Sequence, residues 1–196
     1  MPAENQLKET FITLCRDNIK RDGLDSLLDW MERESDFYEA PASTRFHGNY
    51  QYGLVEHSLN VYNALLELTK QFQLNVSIET LTIASLFHDL CKANYYVLGT
   101  RNVKDEETGV WRKEPFYKSE DQYPIGHGEK SVILLMKHMR LTDDEIYAIR
   151  WHMGGFDNAV KGGDYASGKA YEICPLAVLL HVADMVASYL MEGRNV

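Results

Sequence analysis

The stretch "IASLFHDLCK", residues 83–92, decides how this chain is read. Ile83, Ala84, Leu86, Phe87 and Leu90 are small or apolar and mark a buried helix, yet His88 and Asp89 stand side by side among them, with Lys92 one turn on. A carboxylate in apolar surroundings is costly unless it is paired or coordinates a metal, so this segment requires partners from elsewhere. Neighbouring residues on a helix point about 100° apart. His88 and Asp89 are therefore expected on different faces of one helix, meeting a common ion only in a groove where that helix crosses others.

On either side of this segment the pattern is mainly helical. Ser77 to Thr80 (Ser-Ile-Glu-Thr) reads as the cap that opens the helix carrying His88. Upstream, residues 4–23 and 25–35 carry apolar residues at helical spacing, residues 37–53 lose the periodicity and read as an ordered loop, and "LVEHSLNVYNALLELTKQF" restores it. Downstream, helices are expected at "HGEKSVILLMKHM", "TDDEIYAIRWHM" and "PLAVLLHVADMVASYLM". The glycine-rich "GGFDNAVKGGDYASGKAYEIC" between the last two reads as irregular. Residues 94–118 differ in kind: "YYVLGTRNV" and "VWRKEPFY" are β-branched and aromatic and flank "KDEETG", which predicts a β-hairpin inserted between helices. The expected fold is an all-α bundle with one small hairpin, forming one domain over residues 1–196, in which residues 1–36 supply N-terminal helices that pack on the core.

Charge and composition narrow the function. The formal net charge is −9, whereas a protein that lives on duplex nucleic acid usually shows a basic face. A small phosphorylated substrate is therefore expected over a long nucleic acid. Locally, residues 92–118 carry six Lys or Arg against four Asp or Glu, a balance of 6 − 4 = +2 in an acidic chain, which reads as a solvated loop or an anion-attracting rim. No apolar run approaches the ~20 residues that a membrane helix needs, and "MPAENQLKET" lacks the pattern of a signal peptide. The three cysteines, Cys15, Cys91 and Cys174, are widely spaced and odd in number, as expected of reduced thiols in a cytoplasmic protein.

The seven histidines are His47, His57, His88, His127, His138, His152 and His181. His57 in "GLVEHSLNV", His88-Asp89, and Asp184 in "LLHVADMVAS" each interrupt a helix that is otherwise apolar. Imidazole and carboxylate together form a ligand set for zinc, iron or manganese, with carboxylate-rich sites leaning to manganese or magnesium. One metal would satisfy Asp89 and Asp184 together. His127 in "PIGHGEK" and His152 in "IRWHMGG" stand at helix ends beside glycine and are candidates for a second ion, with Asp89 turning its second oxygen to it. His181, three residues before Asp184, shares a helical face with it and is expected to hydrogen-bond a ligand. His138 reads as an ordinary surface histidine.

The order His57, His88-Asp89, Asp184, in these helix contexts, resembles the HD superfamily of metal-dependent phosphohydrolases over roughly residues 45–190. "RFHGNYQYGLVEHSLNV" is similar to the HD module of bacterial 3′–5′ exoribonucleases and of some relaxase-associated domains. The resemblance implies an all-α HD bundle in which His57, His88, Asp89 and Asp184 bind a first metal and His127 and His152 match the extra histidines of members with two. It implies one or two divalent transition-metal ions (manganese, iron, nickel, cobalt or zinc, with magnesium possible) and metal-activated water that cleaves a phosphomonoester or phosphodiester. In the cyclic-dinucleotide subgroup two adjacent histidines stand near the place of His152; here Met153 follows, which disfavours that subgroup.

Within this reading Asp89, Lys92 and His47 are the expected catalytic groups, and Arg45, Lys92 and Arg101 the expected phosphate contacts. The hairpin is expected to overhang the site as a lid carrying Tyr95, Arg101 and Lys118, with Tyr96 and Trp111 forming the hairpin's own small core. Three other readings fit the same residues: a mixed-valence di-iron oxygenase of the HD fold, a nuclease acting on short single strands, and a regulatory module with a structural or degenerate metal site.

Overall fold

In the computed structural model, residues 2–44 and 48–192 are described, with side chains from residue 6 onward. Arg45 and His47 lie outside the described residues.

The helix that decides the fold, α4 (Ile78–Phe87), is buried from Leu81 to Phe87 without a break. A helix apolar on every side belongs at the centre of a bundle, and its neighbours follow from that. They are α1 (Pro2–Asn18), α2 (Leu24–Arg33) and α3 (Gly53–Gln71) before it, and α5 (His127–Met136), α6 (Asp143–Trp151), α7 (Asn158–Lys161), α8 (Ala166–Ile173) and α9 (Pro175–Val186) after it. α1, α3 and α6 pack directly on α4, and α9 crosses both α3 and α6. The core runs from the Phe11, Phe37 and Phe87 rings, whose centroids lie 5.4 and 5.6 Å from Phe11, to Leu180 and Ala183. Among the described residues no single helix is long and apolar enough to cross a membrane.

Two helix starts follow the sequence cues closely. The Ser77 hydroxyl accepts from the Thr80 N–H at 3.0 Å to open α4. Thr142 and Glu145 form a reciprocal capping box at α6. The inserted hairpin is present as β1 (Tyr96–Lys104) paired antiparallel with β2 (Trp111–Ser119). Its register sets Leu98 opposite Tyr117 and Lys104 opposite Trp111. The strands pack chiefly on each other.

Three expectations change. The helix carrying His88 ends before it: Phe87 is its last residue, His88 is the C-cap, and Leu90–Lys92 form a separate 3₁₀ turn. The segment read as irregular contains α7 and α8, and α8 rests on α6 and α9, where Ala170 is buried and the Tyr171 hydroxyl donates to the Trp151 carbonyl at 2.8 Å. Trp111 is no core residue of the hairpin but stands 65% exposed near its tip.

The loop before α3 is held by backbone bonds, with Tyr52 N–H donating to Glu39 and Leu54 N–H to Ala40, each at 3.0 Å. At its end a Cβ on Gly53 would stand 2.1 Å from the Gly48 carbonyl oxygen, so only glycine allows this close approach at the start of the helix that bears His57.

A buried ion pair ties the N-terminal helices to the rest. Arg21, between α1 and α2, grips the fully buried Glu145 with two bonds of 2.6 and 3.0 Å, and a third reaches Glu79 at 3.3 Å. Removing one partner of such a pair leaves an uncompensated buried charge. Arg21→Met is expected to cost about 3–5 kcal/mol in urea unfolding, whereas Arg33→Met, which breaks an exposed pair with Asp29, is expected to stay within about 0.5 kcal/mol.

Candidate metal centre

The early stop of α4 builds the site. His88 turns its Nδ1 back onto the Ser85 carbonyl at 2.7 Å. A carbonyl only accepts, so Nδ1 carries the proton and Nε2 presents a lone pair. His152 does the same at the end of α6, its Nδ1 donating to the Ile149 carbonyl at 2.7 Å. Both helices thus end in a histidine turned back three residues, with Nε2 aimed at the space between them. The turn after His88 is pinned by Asn94, at φ +55°, whose side-chain oxygen accepts from the Asp36 N–H at 3.0 Å while its own N–H donates to the Asp36 carboxylate at 2.5 Å.

Asp89 lies at the centre, fully enclosed. Its Oδ2 is 3.5 Å from the Nε2 atoms of both His57 and His88. Its Oδ1 is 2.7 Å from Nε2 of His127 and 3.5 Å from Nε2 of His152. Asp184 approaches from α9, with Oδ1 3.3 Å from His57 Nε2 and accepting from the Ser188 hydroxyl at 3.2 Å. His57 and His88 are themselves 3.3 Å apart, Nε2 to Nε2. All six metal ligands expected from the sequence are therefore brought together. They come from α3, the α4 terminus, the first residue of α5, the α6 terminus and α9.

Three overlapping trios have ligand atoms within 4.8 Å of one another: His57, His88 and Asp89; His88, His152 and Asp184; Asp89, His127 and His152. His152 Nε2 is buried without a hydrogen-bond partner among the described residues, a condition that costs stability unless the atom has a ligand to bind. The donor set is imidazole and carboxylate throughout, which suits a divalent transition metal. Cys91 is no part of it: its sulfur touches the His127 ring at 3.4–3.5 Å, but burial, together with nearby Asp89, pushes the thiol up to about 12.

The electrostatics fit a cation as well. Burial alone would raise the Asp89 carboxyl, but Lys92, His88 and the His127 hydrogen bond outweigh it and hold it well below the usual carboxylate range. Burial likewise opposes ionisation of Asp184, and His57 overcomes it. Burial keeps His88 and His127 below their ordinary value. For His57, burial favours the neutral ring, but the carboxylates of Asp184 and Glu192 draw a proton onto it and raise it to about 9. His152 is raised against its burial by Asp89.

The remaining candidates divide. Lys92 is in the site, its ammonium 2.6 Å from Asp89 Oδ2, and it is drawn onto that carboxylate instead of standing free at a helix end. It also lines a cavity of about 490 Å³ beside His127, with Tyr95, Lys130, Phe156 and Asn158. Arg101 is not brought to the site: it lies exposed on β1 over the Phe116 ring, 4.0 Å from Glu114. The hairpin reaches the cavity only through Tyr95 at its base, so the lid expected from Arg101 and Lys118 is not formed by these residues. His181 holds the main chain of a candidate ligand, its Nδ1 bonded to the His152 carbonyl at 2.6 Å. His138 is half-buried, 2.9 Å from the Ser26 hydroxyl. Sequence reasoning missed Glu192, whose carboxylate is 3.0 and 3.1 Å from His57 Nδ1. Nothing local marks this lone acid beyond the last apolar turn.

A helical bundle that gathers four histidines and a second aspartate around the buried carboxylate of Asp89 has the side chains that could hold a metal ion. The family model of the HD domain matches residues 54–188, and the chain belongs to that family, the HD superfamily of metal-dependent phosphohydrolases. No curated protein and no solved structure matches the chain.

Two consequences concern protons. A metal takes the neutral imidazole, so binding must displace the proton that His57 holds up to about pH 9. The affinity for Mn(II), measured by titration between pH 6.5 and 9.5, is expected to rise about tenfold or more per pH unit and to level off above 9; an affinity independent of pH would contradict this. In chelator-treated protein the raised His57 contributes stability that is fully present below about pH 6.5 and is lost as pH rises through about 9. The lowered Asp89 and Asp184 contribute stability that is present above about pH 4 and is lost on further acidification. The melting temperature of the metal-free protein is thus expected to fall on both the alkaline and the acid side.

Proposed function

We propose that this protein is a metal-dependent hydrolase that cleaves a phosphate ester of a nucleotide or another small phosphorylated molecule, with Asp89 shared between two divalent ions. The observation that carries the reading is the placement of Asp89: one carboxylate oxygen faces His57 and His88, the other His127 and His152. His57, His88, Asp89 and Asp184 would hold one ion, and Asp89, His127 and His152 the other. Ions so held supply Lewis acidity toward water and toward a phosphoryl oxygen.

The chain's own groups account for the rest. Lys92 keeps Asp89 ionised in a dry environment and, standing at the cavity wall, has ammonium protons left for a phosphate oxygen. Lys130, closed against Asp121 at 2.8 Å and lying over the Tyr95 ring, adds a second cation to the same wall. The cavity volume suits a small substrate, and Tyr95 and Phe156 offer aromatic surface to the part of the substrate that leaves. The net charge of −9 argues against long nucleic acids as partners.

The test is a screen of nucleotides, phosphodiesters and generic phosphate esters against protein loaded in turn with manganese, cobalt, nickel or iron. Turnover is expected with at least one pair. Asp89→Ala is expected to abolish it, and Lys92→Ala to lower kcat/KM on the order of 10²-fold. Two bound irons with dioxygen consumption and no ester hydrolysis would instead assign the site to oxygenase chemistry. Full activity in Asp89→Ala would refute the assigned centre.

A further inference from the structure

The helix changes its winding once α9 has delivered Asp184. From Ala187 to Met191 the helix widens to π geometry, and the Glu192 N–H bonds the Ala187 carbonyl five residues back at 3.0 Å. Single π turns of this kind are rare and are frequently found at functional sites. Here the turn folds the Glu192 side chain back over α3, where it is only 2% exposed. Both carboxylate oxygens meet His57 Nδ1, at 3.0 and 3.1 Å, and Oε1 also accepts from the Asn60 side chain at 3.0 Å. Asn60 lies three residues after His57 on the same helical face, so the carboxylate is received by a pair of donors built for it.

Burying a carboxylate is costly unless a hydrogen-bonded partner compensates. An ionised carboxylate only accepts, so His57 Nδ1 must carry a proton toward it. That leaves Nε2 to face Asp184 at 3.3 Å and Asp89 at 3.5 Å. His88 and His152 have their Nδ1 atoms tied to main-chain carbonyls of their own helices. His57 lies inside α3, where a mid-helix carbonyl is already engaged in the helix ladder. Its orienting acceptor has to come from another element.

We propose that Glu192 is a positioning residue for the metal centre: its carboxylate fixes the tautomer and ring orientation of His57 and strengthens Nε2 as a donor to the ion. This rests on the reading of His57 as a metal ligand. A carboxylate behind a ligating imidazole typically contributes 10–100-fold in metal affinity. The segment that follows Asp184 therefore serves the site twice, since Ser188 on the same turn steadies the Asp184 carboxylate at 3.2 Å.

The test measures metal binding and needs no substrate. Mn(II) dissociation constants are determined by titration for the parent, Glu192→Gln, Glu192→Ala, and Glu172→Gln as a control at an exposed acid paired with Lys169. The visible spectrum of each Co(II)-loaded protein is recorded alongside. Glu192→Ala is expected to raise the dissociation constant about 10–100-fold. Glu192→Gln, which keeps an acceptor but not the charge, is expected to fall between the two and to shift the Co(II) bands. The control is expected to match the parent. If Glu192→Ala fails to fold, Glu192→Gln carries the test, its fold checked by circular dichroism. Folded variants with parental affinity and spectrum would overturn this inference alone; a parent that binds no divalent ion would overturn it together with the metal reading.

Discussion

The structure is organised around one buried carboxylate. Asp89 is sealed from water at the crossing of several helices, and an unpaired charge in that position would be prohibitively costly. Every element that reaches it brings compensation: imidazoles from α3, α5 and the ends of α4 and α6, and an ammonium from its own 3₁₀ turn. The bundle can close around Asp89 only because these groups arrive together. The same convergence leaves Nε2 atoms and carboxylate oxygens facing one another, an arrangement that favours a cation between them.

The histidines are prepared for this role by their far sides. At the ends of α4 and α6 the last carbonyls lack helical partners, and the imidazoles of His88 and His152 take up such positions with their Nδ1 protons. The requirement to satisfy a helix end and the requirement to present a metal-binding nitrogen are met by one bond in each case. His57 has no such option within a continuous helix, and the carboxylate of Glu192 supplies the equivalent from the far end of the chain.

Much of this was legible in the residues. His88-Asp89 in an apolar run by itself signals a buried charge, and the contexts of His57 and Asp184 point to its partners. The hairpin follows from β-branched and aromatic content, and the α4 and α6 starts from capping residues. Other features were hidden for physical reasons. The stop of α4 at Phe87 is invisible because nothing in His88-Asp89-Leu90 forbids helix; it ends there because His88 and Asp89 are engaged by the site. α8 lies in a segment whose glycines suggest a loop, and its packing on α6 and α9 outweighs that local preference. Trp111 and Arg101 follow from the hairpin's register, which carries both away from the bundle. Glu192 has no local signature at all.

By itself, then, the sequence determined the helical class, the inserted hairpin and the chemical identity of the six candidate ligands, because apolar periodicity and the cost of burying charge are written residue by residue. The tertiary structure alone decided how closely each imidazole meets the two Asp89 oxygens, that Lys92 pairs with Asp89 and Arg101 stays outside, and that Glu192 lies behind His57. These depend on the angles at which helices distant in the chain cross, and such angles arise only when the whole core packs at once.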